Sequence, residues 1–312
     1  MGLRLENGNF TLGIFDFDGN ILRTDTPVYF KNNETGEIEK FSMHFVDQNQ
    51  KDFFGNDSKY SVVSETYSEC RDFFSLDYHR GFDGIIQDVL NAIEENNFAQ
   101  SYEVFKNAYL IKARMFAILT ARGNSPDNFH RAFSLINEKT LTKEQKEQQH
   151  ENIIKNYRLD PKISREEALY YYLGKVINYV PCNNFQVEKL MGFAEEMPSC
   201  DRKAKAMDFL LSYYINLLEN IYKKNISEII GKKQYFSVGF SDDNLKNIVS
   251  VYEKFRVFLD SEKYFPEVQK KFSVYFTGKS EEYYNLLMML GDEEHFREQI
   301  KQKYGLKIKL KK

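Results

Sequence analysis

Thr11 to Leu22 reads TLGIFDFDGNIL, an apolar run that ends in two carboxylates, Asp16 and Asp18, one residue apart. A segment rich in Ile and Phe and stopped by a glycine predicts a buried strand whose carboxyl end opens onto a loop. Burying two acids this close together is costly unless a cation joins them, so the pair implies a divalent metal or a shared proton.

Other apolar runs repeat the pattern. Met115–Leu119 ends in Thr120-Ala121-Arg122-Gly123, and Ser125-Pro126 then caps a helix with Phe129, Ala132, Phe133 and Ile136 on one side. Tyr235–Phe240 ends in Ser241-Asp242-Asp243 before a helix marked by Leu245, Ile248, Val249, Tyr252 and Phe255, and Phe272, Val274 and Phe276 alternate as a short further strand. A long amphipathic helix from about Asp201 carries Met207, Leu210, Leu211, Tyr214, Leu217, Leu218 and Ile221 on one stripe, with Lys203 and Lys205 in its first turns. Lysine is unfavourable at that positive helix end unless it serves an anion.

Strands alternating with amphipathic helices predict an α/β fold, a doubly wound and mostly parallel sheet that binds ligands outside the carboxyl ends of its strands. The polar tips would converge there as four acids, a hydroxyl and an ammonium. That inventory fits Mg2+ and a phosphate. Asp16, one of Asp242 and Asp243, and the backbone carbonyl of Asp18 would hold the metal. Thr120 Oγ, the lysine and the loop amides of Phe17 and Asp18 would hold the phosphoryl oxygens.

With these residues in place, the sequence resembles the haloacid dehalogenase (HAD) superfamily. Asp16 to Gly19 matches its first motif, Leu119-Thr120-Ala121-Arg122 its second, Lys203 in KAKAMDFL its helix-opening lysine, and Asp242-Asp243 in GFSDDNLKN its acidic pair. The resemblance implies that Asp16 is a nucleophile forming an aspartyl-phosphate and that Asp18 is the acid/base that protonates the leaving group and then activates water. Lys205 is the rival for the lysine. Asp242 is favoured as the direct metal ligand, with Asp243 as second contact or lysine partner. Asn20 departs from the family pattern, which has Thr after Asp-Gly, and puts the loop geometry in question. Each motif alone has a bland reading, as a turn, a calcium loop or a helix cap. Their order, each at the end of an apolar strand, carries the argument.

The implied catalytic core covers 8–24, 100–137 and 185–280. A mixed cap or lid insertion occupies 25–99, where VYFKNNETGEIEKFS predicts a hairpin, and a helical insertion occupies 138–184, with capping boxes at Thr142–Gln145 and Ser164–Glu167. A C-terminal helix and basic tail follow over 281–312. The first insertion is rich in aromatics, among them Tyr29, Phe30, Phe41, Phe45, Phe53, Phe54, Tyr60, Tyr67, Phe73 and Phe74, which form either its own small core or a lid that stacks on an aromatic leaving group.

The chain has 312 residues, 42% hydrophobic and 15% aromatic, enough for a large buried core. A net charge of -3 gives no basic field, so nucleic acid is not an expected partner. Cys70, Cys182 and Cys200 read as free thiols of a reducing compartment, and His44, His79, His130, His150 and His295 lack zinc-site spacing. With no apolar stretch of membrane-spanning length and no apolar leader, the expected location is cytoplasmic, export by an unmarked route apart. Lys301–Lys312 (KQKYGLKIKLKK) could touch an anionic membrane, although a solvated tail is the default. The functional expectation is a Mg2+-dependent phosphatase acting on a phosphorylated small molecule or phosphoprotein. Its alternatives are a protein phosphotyrosine phosphatase and a non-catalytic module that docks a phospho-ligand or membrane.

Overall fold

The computed structural model describes residues 10–42, 45–46, 49–63, 84–194, 196–230, 235–255, 269–278 and 286–288. The opening apolar run is strand β1 (Phe10–Phe15). The predicted hairpin follows as β2 (Pro27–Asn32) and β3 (Ile38–Ser42), and β4 (Tyr60–Val62) pairs on the other edge of β2 to give a small antiparallel sheet. Helix α1 (Gly84–Glu94) returns the chain, and α2 (Tyr102–Phe105) continues as a π-helix over Lys106–Ile111. Strand β5 (Phe116–Thr120) and helix α3 (Pro126–Thr140) form the expected strand–loop–helix unit, with Ser125 Oγ accepting the Asn128 N–H at 3.3 Å.

Both capping boxes are present, on α4 (Lys143–Tyr157) and α5 (Arg165–Tyr171). Strand β6 (Asn178–Pro181), α6 (Phe185–Met191), the 24-residue α7 (Ser199–Tyr222), β7 (Tyr235–Asp242), α8 (Leu245–Phe255), β8 (Gln269–Phe276) and β9 (Leu286–Met288) complete the described chain. Among the described residues no helix is long and apolar enough to cross a membrane.

The central sheet runs β6-β5-β1-β7-β8-β9, with β6, β5, β1, β7 and β8 all parallel and β9 antiparallel on the edge. The chain fills the sheet from β1 outward through β5 to β6, then crosses back to lay β7 and β8 on the other side. The strand order therefore reverses at β1. In an open α/β sheet such a switch point leaves a crevice at the carboxyl ends of the two flanking strands. Strand β7 runs two residues beyond its apolar stretch because Ser241 and Asp242 still pair with Tyr275 and Phe276 of β8, which makes Asp242 a strand residue rather than a loop residue.

Residues 138–184, read from sequence as a helical insertion, are built into this layer. Strand β6 is its edge, and Ile153, Tyr157, Ala168, Tyr172 and Leu173 share the main core with β1 and β5. The polar character of α4 has a specific cause. A helix end leaves its last carbonyls short of partners, and side chains of α4 meet those of Leu110 to Ala113 at the end of the π-helix. Gln149 Nε2 donates to Leu110 O at 3.1 Å, Asn152 Nδ2 to Ile111 O at 2.9 Å, Asn156 Nδ2 to Lys112 O at 2.9 Å and Tyr157 OH to Ala113 O at 2.8 Å. These donors recur at helical spacing, so one face of α4 caps the segment that feeds β5.

The aromatics of the first insertion pack on themselves. Phe30, Phe53 and Tyr60 are buried together with Val28 and Val46, with Phe41 against them, and the Phe30 and Phe53 rings meet edge to face at 4.7 Å. Phe45 stacks on Phe41 at 5.7 Å. The small-core reading thus holds for this group, while Tyr67, Phe73 and Phe74 lie outside the described residues, as does the basic tail at 301–312.

Candidate active site

Past Phe15 the backbone stays in register for one more rung, the Asp16 N–H donating to Ser241 O at 2.9 Å. Phe17 is fully buried and packs edge to face on Phe129 of α3 at 5.5 Å, which anchors the loop between its two acidic neighbours. Gly19 then turns the chain with φ +68°, a conformation costly for a side-chain-bearing residue. An added Cβ there would lie 1.9 Å from Asp243 Oδ2, so the Asp243 carboxylate sits directly over the glycine. Gly19→Ala is expected to cost about 1–2 kcal/mol from backbone strain alone. It should also displace Asp243, and urea titrations of the purified variant measure the loss of stability.

Asn20, the departure from the family pattern, is fully buried and knits four segments together. Its Nδ2 group donates to Asp16 O and Ser241 O at 3.1 Å and to Ser241 Oγ at 2.7 Å. Its Oδ1 accepts the hydroxyls of Ser101 at 2.7 Å and Thr277 at 2.8 Å. An amide donates on one side and accepts on the other, so Asn here ties β1, β7 and β8 where a single hydroxyl could not. Asn20→Ala leaves several buried groups unpaired and should destabilise the fold by about 3 kcal/mol in urea titrations, since each such group costs about 1–3 kcal/mol.

The ends of β1 and β7 bring three carboxylates together: Asp16, Asp242 and Asp243 offer oxygens that all lie within 4.8 Å of one another. Lys203, in the first turns of α7 and 1% exposed, reaches in between, its Nζ 2.8 Å from Asp16 Oδ1 and 2.7 Å from Asp242 Oδ2. Lys205 faces away, donating to Gly192 O at 2.7 Å near the Phe193 ring. Residues two apart on a helix point roughly 200° apart, so only one of the two lysines can face the sheet.

Of the acidic pair, it is Asp242 that pairs with the lysine, while both Asp242 and Asp243 stay in the carboxylate cluster. Asp242 is fully buried and takes Lys203, the Asn244 N–H at 2.8 Å and Asn247 Nδ2 at 3.0 Å. The Asp243 carboxylate meets no donor among the described residues and shares the cluster with Asp16. Burial raises the Asp16 carboxyl from 3.8 to about 7, against the pull of Lys203 and with a further push from Asp242. Burial, then Asp16 and Asp242, also raise Asp243 well above the carboxylate range. For Lys203 burial pulls the other way, but its two carboxylate partners outweigh it and raise the ammonium.

Asp18 contributes no side-chain oxygen to the cluster. Its carboxylate is held through both oxygens by Arg122, at 2.7 Å from Nε and 2.9 Å from Nη2. Thr120 lies at the end of β5, buried, its Oγ1 accepting the Arg122 N–H at 3.3 Å. The structure thus joins Asp16, Lys203, Asp242 and Asp243 directly, and joins Asp18 and Thr120 to Arg122. Arg122 and Asn247 escaped the sequence reading: Arg122 stood inside a quoted motif without a role, and Asn247 sits in the first turn of α8.

The donor set suits a divalent cation. Three carboxyl groups share one ammonium, burial and their mutual repulsion oppose the ionisation of Asp16 and Asp243, and their oxygens are the hard ligands that Mg2+ takes. Compared with known proteins, the chain matches no family model, no curated protein and no solved structure.

Proposed function

We propose that this chain is a Mg2+-dependent phosphomonoester phosphatase of the HAD type, with Asp16 as the nucleophile. The observation that carries the reading is the fully buried Lys203 joined to both Asp16 and Asp242 at the mouth of the sheet's switch point, with Asp243 completing the acidic cluster. Asp16 and Asp243, with the Asp18 carbonyl, would hold the cation, which when bound screens the phosphate charge from the attacking carboxylate. Lys203 fixes the free Asp16 oxygen and supplies the second positive charge. Asp18 would protonate the leaving oxygen and later take the proton of the attacking water, two roles that one carboxyl fills because both oxygens occupy the same position. The substrate class is a phosphorylated small molecule or phosphoprotein. Hydrolysis of an aryl phosphate that requires Mg2+ and stops in chelator tests the reading; no turnover of aryl, sugar or nucleotide phosphates with Mg2+ or Mn2+ would overturn it.

A stability measurement checks the metal part independently. In chelator, native Asp16 keeps a proton up to about 7 whereas the ordinary value is 3.8. The folded state therefore binds more protons across that window, and its contribution to stability is present at low pH and lost as pH rises through about 7. Metal-free urea midpoints should fall over that range, and Mg2+ at 100 times its dissociation constant should restore about 2.7 kcal/mol at neutral pH.

A further inference from the structure

Arg122 is 4% exposed and spends its fixed fork of donors on two acids. The Nε–Nη2 edge goes to both oxygens of Asp18, Nη2 also reaches Thr24 Oγ1 at 2.8 Å, and Nη1 meets Asp88 Oδ2 at 3.2 Å and Asn124 Oδ1 at 3.3 Å. The guanidinium lies over the Phe17 ring, 5.7 Å from its centre. Thr26 donates to Asp88 Oδ2 at 2.8 Å and also accepts from Arg122, while the Thr24 hydroxyl donates to Asp18.

Asp88 is 2% exposed and needs a counter-charge. Were that the whole purpose of Arg122, the two-point edge would face Asp88. It faces Asp18 instead, whose side chain is 39% exposed and where an ion pair adds little stability. What a bidentate guanidinium adds at such a place is direction, because planar fork and planar carboxylate lock each other's orientation. Apart from Arg122, the Thr24 hydroxyl alone among the described residues holds the Asp18 side chain on its glycine-ended loop.

We propose that Arg122 is a positioning residue that aims Asp18 at the leaving-group oxygen, itself held by the buried Asp88 and by Thr26. The proposal rests on the phosphatase reading and is tested in the full chain with Mg2+, comparing an alkyl phosphate, whose leaving oxygen needs a proton, with nitrophenyl phosphate, whose leaving oxygen does not. Arg122→Lys keeps the charge and loses the fork. It should lower kcat for the alkyl ester by about 100-fold, the scale of general acid–base assistance, with KM within about threefold and a much smaller loss on the nitrophenyl ester. Adding it to Asp18→Asn should cost nothing further.

Thr26→Val, which loosens Arg122 while leaving every Asp18 bond in place, should show the same leaving-group bias at about tenfold and carries the test if Arg122→Lys fails to fold. Equal losses on both esters, a raised KM with unchanged kcat, or losses that add to Asp18→Asn would overturn the assignment. Wild-type protein that turns over while both variants match it sinks Arg122 alone; wild-type protein without turnover sinks the phosphatase reading together with it.

Discussion

Asp16→Asn is expected to abolish Mg2+-dependent turnover, with a loss on the order of 10⁴-fold or more in kcat, the scale seen when a nucleophile is removed. The same variant should fold as well as the wild type. The amide has the shape of the carboxyl and can still accept from Lys203, while the charge removed is one that burial and Asp242 already disfavour. Purified Asp16→Asn with unchanged urea midpoint and no turnover is the predicted pair of results. Turnover within about tenfold of wild type would place the nucleophile elsewhere.

Lys203→Met should do the reverse, striking the fold before the chemistry. Its ammonium is the shared partner of two buried carboxylates, and removing one member of a buried pair costs about 3–5 kcal/mol because the other charge is left unscreened. Domains have only about 5–15 kcal/mol in total, so the metal-free variant should be marginal or unfolded. Mg2+ would recover part of the loss by supplying the missing charge. Lys205→Met, two residues away, removes an exposed contact to a carbonyl and should change stability by no more than about 0.5 kcal/mol. Parallel urea titrations of the two variants check this contrast, and equal effects would contradict the arrangement at the sheet edge.

How much of this was legible in the sequence depends on where each signal lay. The runs at β1 and β7 are apolar and end in carboxylates and that at β5 is apolar and ends in Thr120, so strand, sheet class and the convergence of Asp16 with Asp242-Asp243 all follow from pattern. Strand β6 is four residues long and is bounded by Asn178 and Pro181, too brief for its period to show, so its place on the main sheet and that of the flanking helices came only with the fold. The polar face of α4 gives no signal of its role in sequence, because amides that cap carbonyls read like amides that face water. That Asp242 rather than Asp243 meets Lys203 turns on strand alternation two residues beyond the apolar stretch, where only pairing with β8 decides how far the strand runs. Asn20 and Arg122 act across more than 80 residues of sequence, and no local spacing could announce them.

The most direct measurement is to quench the wild-type protein during turnover of a phosphomonoester and map bound phosphate by peptide mass. The account predicts an acid-stable, base-labile acyl phosphate on the peptide spanning Thr11–Leu22, located at Asp16, present with Mg2+ and absent in chelator. Turnover that proceeds with no phosphate on that peptide, or with phosphate on another residue, would contradict it.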